Sequence, residues 1–338
     1  MKLKTSTITA ASTCAAALLL CAVIFGQQGP PAGAPGGGRA ASGNRGGGDA
    51  CGGRSALPQI PCAPDIAAMM AALPDKAYAT PASPRKILVL CTAHGFVHSS
   101  IPLASKMVEY LGDKTGAWST TISYDNAVIT PENLKQYDAI FLDSTTGEFL
   151  DDANDPSGTQ TRRKALLDFV KNGKGLAGIH AASDSYHDGI RGEWPEFNQM
   201  IGGFFKFHWS YPTLISVKID DPKSPLTQMF DPRGYVIVDE TYTFAQDSFS
   251  RKRVHVLTSV NYSKMSQCDK DKEPAETRRT DGDYALSYIQ HVGNGRVFYE
   301  AHGHDERVYF MRPFVAHMLA GIQYALGDLK ADDSPSVQ

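Results

Sequence analysis

The chain has 338 residues, of which 42% are hydrophobic and 20% charged, with a formal net charge of −3. This length allows one large domain or two small ones, and the composition is that of a soluble globular protein with a sizeable core. The near-neutral charge and the lack of any basic run give no footprint for nucleic acid or for a membrane surface.

In chain order, Lys2 and Lys4 precede an apolar run over residues 10–25 that ends at Gly26-Gln27. The run is short and lacks a stop-transfer flank, so residues 1–27 read as a secretory signal peptide, which places the protein in the periplasm or outside the cell. An uncleaved N-terminal anchor is the alternative, and beyond the signal no contact with a membrane is expected. Residues 28–84 read as a disordered linker, because their Gly-, Pro- and Ala-rich stretch (28–55) cannot bury enough apolar surface to order itself. Cys51 and Cys62 lie in this segment, and both a local disulfide and two free thiols are open readings. Cys91 reads as a small core residue. No CxxC pair exists, which argues against a thiolate zinc site.

A folded domain is expected over 85–328, with a short disordered tail at 329–338. "KILVLC" (86–91), "DAIFLDS" (138–144) and "GLAGIH" (175–180) are continuous apolar runs, the mark of strands buried on both faces. Between them, 102–114 and 161–173 carry apolar residues at helical spacing. Strand–helix alternation at this spacing predicts right-handed βαβ units and a parallel sheet. The second half is β-rich, with strands expected at 213–219, 235–244, 254–260 and within 284–304, the last a hairpin turning at Gly293-Asn294-Gly295. A final helix is expected over 311–326, stopping at Gly327.

In open α/β sheets, ligands bind outside the carboxyl ends of the strands. The first strand ends in a segment holding His94 and His98, and the second at Asp143. The third ends on His180, with Asp184 and His187 close behind. "GKGLAG" (173–178) matches GxGxxG, but it follows a helix and opens a strand, the reverse of the dinucleotide motif. No GxxxxGK[ST], HExxH or GxSxG is present, so the simplest signatures of an NTPase, a zincin and a serine hydrolase are missing.

The segments "GFVHSSIP" (95–102), "TTGEFL" (145–150), "GKGLAGIHAASD" (173–184), "IGGFFKFH" (201–208), "DETYTF" (239–244), "GRVFYEAHGH" (295–304) and "HMLAGIQYALG" (317–327) together resemble the ThuA-like (trehalose utilisation) family. The resemblance spans about residues 85–327. It implies a three-layer α/β fold, flavodoxin-like and related to the class I glutamine amidotransferases, with a mainly parallel sheet and a β-rich C-terminal part. The amidotransferases carry a cysteine nucleophile after the third strand. This chain has His180-Ala181-Ala182 there, so acyl-thioenzyme chemistry is not available. Carried over, the family's polar positions fall on His98, Glu148, His180, Asp184, His208, Asp239, Glu240, Tyr242 and His304. His302 stands where the family has Leu and receives no role.

Clustered His with Asp or Glu can hold a divalent cation such as Zn²⁺ or Mn²⁺, or move protons near neutral pH. The expected catalytic set is His180, Asp184 and Glu240. His98, Glu148, Asp239, Tyr242 and Trp209 are expected to contact substrate, and His98, His180, His208 and His304 are the candidate metal ligands. His302 and His304, two apart on a strand, would share a face. Phe96, Trp194, Phe204, Phe205, Trp209, Tyr211, Tyr242 and Phe244 fall around the same motifs, and aromatic rings stack on the apolar faces of sugars. With the resemblance, these residues predict a carbohydrate-active enzyme acting on a small saccharide or keto-sugar by hydrolysis, isomerisation or elimination. A non-catalytic sugar-binding protein and a metal-dependent amidohydrolase-like enzyme are the alternatives. His255 and His291 read as solvated, and His317 as helix packing.

Overall fold

The structure is a computed structural model that describes residues 60–187 and 193–337. The expected signal peptide, Cys51 and the linker up to residue 59 lie outside the described residues. A first helix, α1 (Ala63–Ala72), precedes β1 (Lys86–Leu90), α2 (Ile101–Thr115), β2 (Ser119–Ser123), α3 (Pro131–Leu134), β3 (Ala139–Asp143), α4 (Pro156–Lys171) and β4 (Gly175–Ile179). Then come α5 (Pro195–Ile201), β5 (Phe205–Trp209), β6 (Leu214–Ile219), β7 (Tyr235–Val238), β8 (Thr241–Phe244) and β9 (His255–Val260). The chain closes with α6 (Gln267–Lys270), β10 (Ala285–Val292), β11 (Gly295–Glu300) and α7 (Arg312–Ala325).

Nine strands form one sheet in the order β2-β1-β3-β4-β11-β10-β9-β6-β7, and β5 pairs with β8 in a separate two-stranded ribbon. The pairings β1–β2, β1–β3, β3–β4 and β4–β11 are parallel, while β11–β10, β10–β9, β9–β6 and β6–β7 are antiparallel. The expected parallel half and β-rich C-terminal half are therefore one continuous sheet. Because β11 runs parallel to β4, the carboxyl ends of the five strands of the parallel run (β2, β1, β3, β4 and β11) open on the same edge.

Local chemistry accounts for the elements. Pro156 sits in the first turn of α4, and the Asp155 carboxylate accepts the Gly158 N–H at 2.8 Å, so the helix starts earlier than its apolar spacing alone suggests. α2 stops at Gly116, which takes a left-handed φ of 69°. The small residues of β4 admit α7: a Cβ on Gly175 would lie 2.4 Å from the Ala325 carbonyl oxygen. The core fills both sides of the sheet, with β1, β3 and β4 almost wholly buried, as their unbroken apolar runs predict.

Three expectations change. Residues 60–84, expected as linker, hold α1 and a segment tied to α7. The buried Gln323 amide accepts from Tyr78 N (2.8 Å) and donates to the Ala79 carbonyl (2.6 Å). Cys62, just before α1, is disulfide-bonded. Residues 329–337, expected as a disordered tail, lie along β9: Ser336 N donates to Val254 O at 3.1 Å, and Ser336 Oγ accepts from Val256 N at 2.8 Å. This tail also gives the two histidines expected to be solvated their partners. His255 bonds Ser334 O at 2.7 Å and Asp221 at 3.0 Å, and His291 pairs with Asp333 at 2.8 Å. Finally, the single strand expected over 235–244 is two strands in different sheets, β7 and β8, separated by Asp239-Glu240. Among the described residues no helix is long and apolar enough to cross a membrane.

Candidate functional site

The loop after β1 carries His98 and is fastened to the loop after β3: His94 N and Gly95 N donate to Thr146 O at 2.9 and 3.2 Å, and Thr146 Oγ1 donates to Phe96 O at 3.0 Å. The His98 side chain is buried. At the end of β4 the backbone turns sharply at His180, whose φ is 46°. The Tyr299 hydroxyl donates to the His180 carbonyl at 2.5 Å, and Ser183 Oγ lies 2.8 Å from that hydroxyl. His180 Nδ1 lies 2.9 Å from the Ala301 carbonyl oxygen. A carbonyl only accepts, so Nδ1 carries the hydrogen and the neutral ring presents the Nε2 lone pair.

His304 arrives on the turn after β11, which Asp239 organises. The buried Asp239 carboxylate accepts three backbone N–H groups, from Gly303 (2.7 Å), His304 (3.3 Å) and Asp305 (2.9 Å). This bond set breaks the strand between β7 and β8 and delivers Glu240 beside the histidines. Glu240 Oε2 lies 3.0 Å from His304 Nδ1 and 3.4 Å from His180 Nε2, while Oε1 lies 2.9 Å from His208 Nδ1. Burial works to raise the Glu240 carboxyl, but the close approach of the His180, His208 and His304 imidazoles outweighs it and holds the group far below the ordinary carboxylate range. The His304 imidazole is raised in turn: burial opposes its charge and Glu240 more than compensates.

One ligand atom from each of His98, His180, Glu240 and His304 lies within 4.8 Å of every other. Three imidazole nitrogens and a carboxylate oxygen form a donor set suited to Zn²⁺ or Mn²⁺. His180 Nε2 and His304 Nδ1 are both buried, and neither makes a well-directed hydrogen bond although Glu240 Oε2 is near. Two such atoms beside one carboxylate are what a shared cation would satisfy. Bonds of about 2.0–2.2 Å would need the four donors drawn slightly together, which the half-buried Glu240 and His304 side chains permit.

The structure sorts the expected residues. His98, His180 and His304 converge, and Glu240 joins them. His208 does not: it sits on the outer oxygen of Glu240, with its side chain 33% exposed. Tyr242 is opposite His208 in the β5–β8 ribbon, and its buried ring backs His180 at 4.1 Å between centroids. Asp184 does not pair with His180; its carboxylate bonds His187 Nε2 at 2.7 Å. Asp239 is a buried anchor of the turn rather than an open substrate contact. Glu148 lies on the loop after β3 and outside the four-donor group. Trp209 is a correction: it alternates with His208 along β5, so its ring points inward, fully buried, with Nε1 donating to Asp269 O at 3.0 Å. His302 is another, since β11 ends at Glu300 and Gly303 (φ 131°) turns the chain, so 302 and 304 do not share a face. His302 points into the core, where Nδ1 donates to Glu300 Oε1 at 2.8 Å. The supports of His180, namely the Tyr299 and Ser183 hydroxyls and the Ala301 carbonyl, carry no signal in the sequence, because they meet His180 only through contacts made in the fold.

Comparison with known proteins agrees with this architecture. A family described as trehalose utilisation matches residues 86–325. A putative ThuA-like protein from Bacteroides uniformis shares 22% identity, with 72% of this chain and 92% of that one covered at a TM-score of 0.57. A putative ThuA-like protein from Parabacteroides merdae shares 16% identity over 74% of this chain and 93% of that one, at a TM-score of 0.48. No curated protein matches the chain.

Proposed function

The chain belongs to the ThuA family, linked to trehalose utilisation, and from that premise we propose that it is a carbohydrate-active enzyme whose site binds a divalent cation. The observation that carries the reading is the convergence of His98, His180, Glu240 and His304 at the carboxyl edge of the sheet. These four residues would hold Zn²⁺ or Mn²⁺, which supplies Lewis acidity toward a sugar hydroxyl or carbonyl oxygen. Phe96, 39% exposed and stacked on the His304 ring at 6.3 Å, offers an apolar face for a small saccharide or keto-sugar. His208, bonded to Glu240 but outside the four, orients that carboxylate.

The Cys62 disulfide supports a place in an oxidising compartment, in keeping with a secreted or periplasmic protein. Elemental mass spectrometry of the purified chain tests the central claim. About one Zn or Mn per chain is expected, and His180→Ala should lose it at least a hundredfold more readily. A chain that stays metal-free after dialysis against both ions would overturn the metal reading. A metal-binding chain that binds sugars and turns none over would be the non-catalytic alternative.

A further inference from the structure

Asp184 sits one turn from His180, closing the 3-10 turn that His180 opens, with its N–H donating to Ala181 O at 3.0 Å. Its carboxylate nevertheless serves another residue, since Asp184 Oδ1 lies 2.7 Å from His187 Nε2. A carboxylate accepts, so Nε2 carries a hydrogen and the neutral ring keeps its lone pair on Nδ1. The ring is held on a second side as well. It stacks on Phe204 at 5.1 Å with an interplanar angle of 5°. An exposed ion pair of this kind would contribute little, but these side chains are only 18% and 27% exposed and the imidazole is fixed in orientation.

The Phe205 ring links the pair to the surroundings of the cluster. Phe205 lies 6.2 Å from the His187 ring, 5.8 Å from His208 and 4.4 Å from Tyr242, which backs His180. One half-buried aromatic ring thus contacts both His187, which is paired with Asp184, and His208, which is paired with Glu240. Neither His187 nor Asp184 belongs to the four-donor group. A histidine with one nitrogen fixed by a carboxylate and no hydrogen bond from the other among the described residues is the arrangement of a general base.

We propose that His187, oriented by Asp184, is the proton-transfer group of this cleft, acting on a carbonyl-bearing sugar seated at the His98–His180–Glu240–His304 cluster. The proposal rests on the reading of that cluster given above. His187 Nδ1 takes, as a proton, a hydrogen from the carbon next to the carbonyl. The C–H electron pair forms the new C=C bond, and the carbonyl π pair moves to oxygen, giving an enediolate. Asp184 stabilises the imidazolium. Return of a proton to carbon completes an exchange or an isomerisation, and no oxidant or reductant is consumed.

The test is deuterium incorporation from D₂O, read by mass spectrometry, into two probes: dihydroxyacetone and isomaltulose, a neutral disaccharide ending in a ketose. The full chain loaded with Zn²⁺ should label at least one of them well above the buffer rate. His187→Gln and Asp184→Asn should each label at least tenfold more slowly, with bound zinc and Tm unchanged. His187→Asn is the second variant should the first fail to fold. Labelling undiminished in a folded His187 variant, or no labelling by the zinc-loaded chain, overturns the proposal. Bound metal is measured separately. A chain that binds no metal yet labels through His187 sinks the cluster reading and leaves this one standing.

Discussion

At His180 the backbone adopts a φ of 46°, a left-handed conformation that costs a non-glycine residue about 1–2 kcal/mol. The strain buys an orientation: the ring leaves the strand axis, Nδ1 reaches the Ala301 carbonyl, and Nε2 faces Glu240. What holds the turn is the buried Tyr299 hydroxyl on the His180 carbonyl. Tyr299→Phe removes that single atom and leaves the ring in the core. A buried hydrogen bond contributes about 1 kcal/mol. Zinc affinity should therefore fall roughly three- to tenfold, while Tm drops by a few degrees. Competition with a chromogenic chelator reads the affinity. An unchanged affinity at lowered Tm would make Tyr299 a packing residue with no part in placing His180.

The elements show which parts of the fold the sequence could reveal. β1, β3 and β4 are legible because a strand buried on both faces must be apolar through its middle, and these three follow that rule apart from Lys86 at the start of β1 and Asp143 at the end of β3. The 235–244 segment defeats the same logic, because it too reads as continuous strand. What divides it is Asp239, whose carboxylate bonds a turn more than sixty residues away, a pairing invisible to local pattern. His304 and Glu240 could be named from the family resemblance, but their meeting depends on that bond. Trp209 misleads for the opposite reason, since its neighbours carry motif residues while strand alternation turns it inward. α1 is masked by the glycine- and proline-rich stretch before it, which dominates the composition of the segment. Its contribution is testable. Met69 and Leu73 are buried, and the Gln323 amide loses its partners if residues 60–84 are removed. Each buried apolar side chain contributes roughly 2 kcal/mol, and an orphaned buried amide costs about 1–3 kcal/mol. A chain beginning at Arg85 should therefore melt on the order of 10 °C below one beginning at Ile60, as calorimetry can measure. Equal melting temperatures would show that α1 adds nothing to the domain.

Across the whole molecule, the buried half of β11 and its surroundings set the response to acid. Glu300 is fully buried. Burial works to raise its carboxyl, but hydrogen bonds to His302 and His317 outweigh that and hold it at about 2, against 4.5 for a free glutamate. His302 Nδ1 and backbone N both donate to Oε1, at 2.8 and 3.0 Å, and His317 Nε2 lies 3.4 Å from Oε2. These residues join β11 to α7 and to β8, which begins just after Glu240, through the 3.3 Å contact of His302 Nε2 with Thr241 Oγ1. A carboxyl whose folded value is depressed contributes stability above its unfolded value and loses it as pH falls toward the folded one. The contribution of Glu300, roughly 3 kcal/mol by that linkage, is complete above about pH 5 and is lost between there and about pH 2. Glu240 is depressed as well and acts in the same direction. Glu300→Gln keeps the shape of the side chain and removes the titration. At pH 7 the variant should melt below the parent. Between pH 5 and 3 its Tm should fall less steeply, because one buried, depressed carboxyl no longer takes up a proton on unfolding. The comparison is made on metal-free protein, so that acid release of a bound cation from Glu240 does not add to the slope. Parallel Tm–pH curves for parent and variant would show that Glu300 titrates alike in the folded and unfolded chain, and that its contacts with His302 and His317 do not hold it ionised.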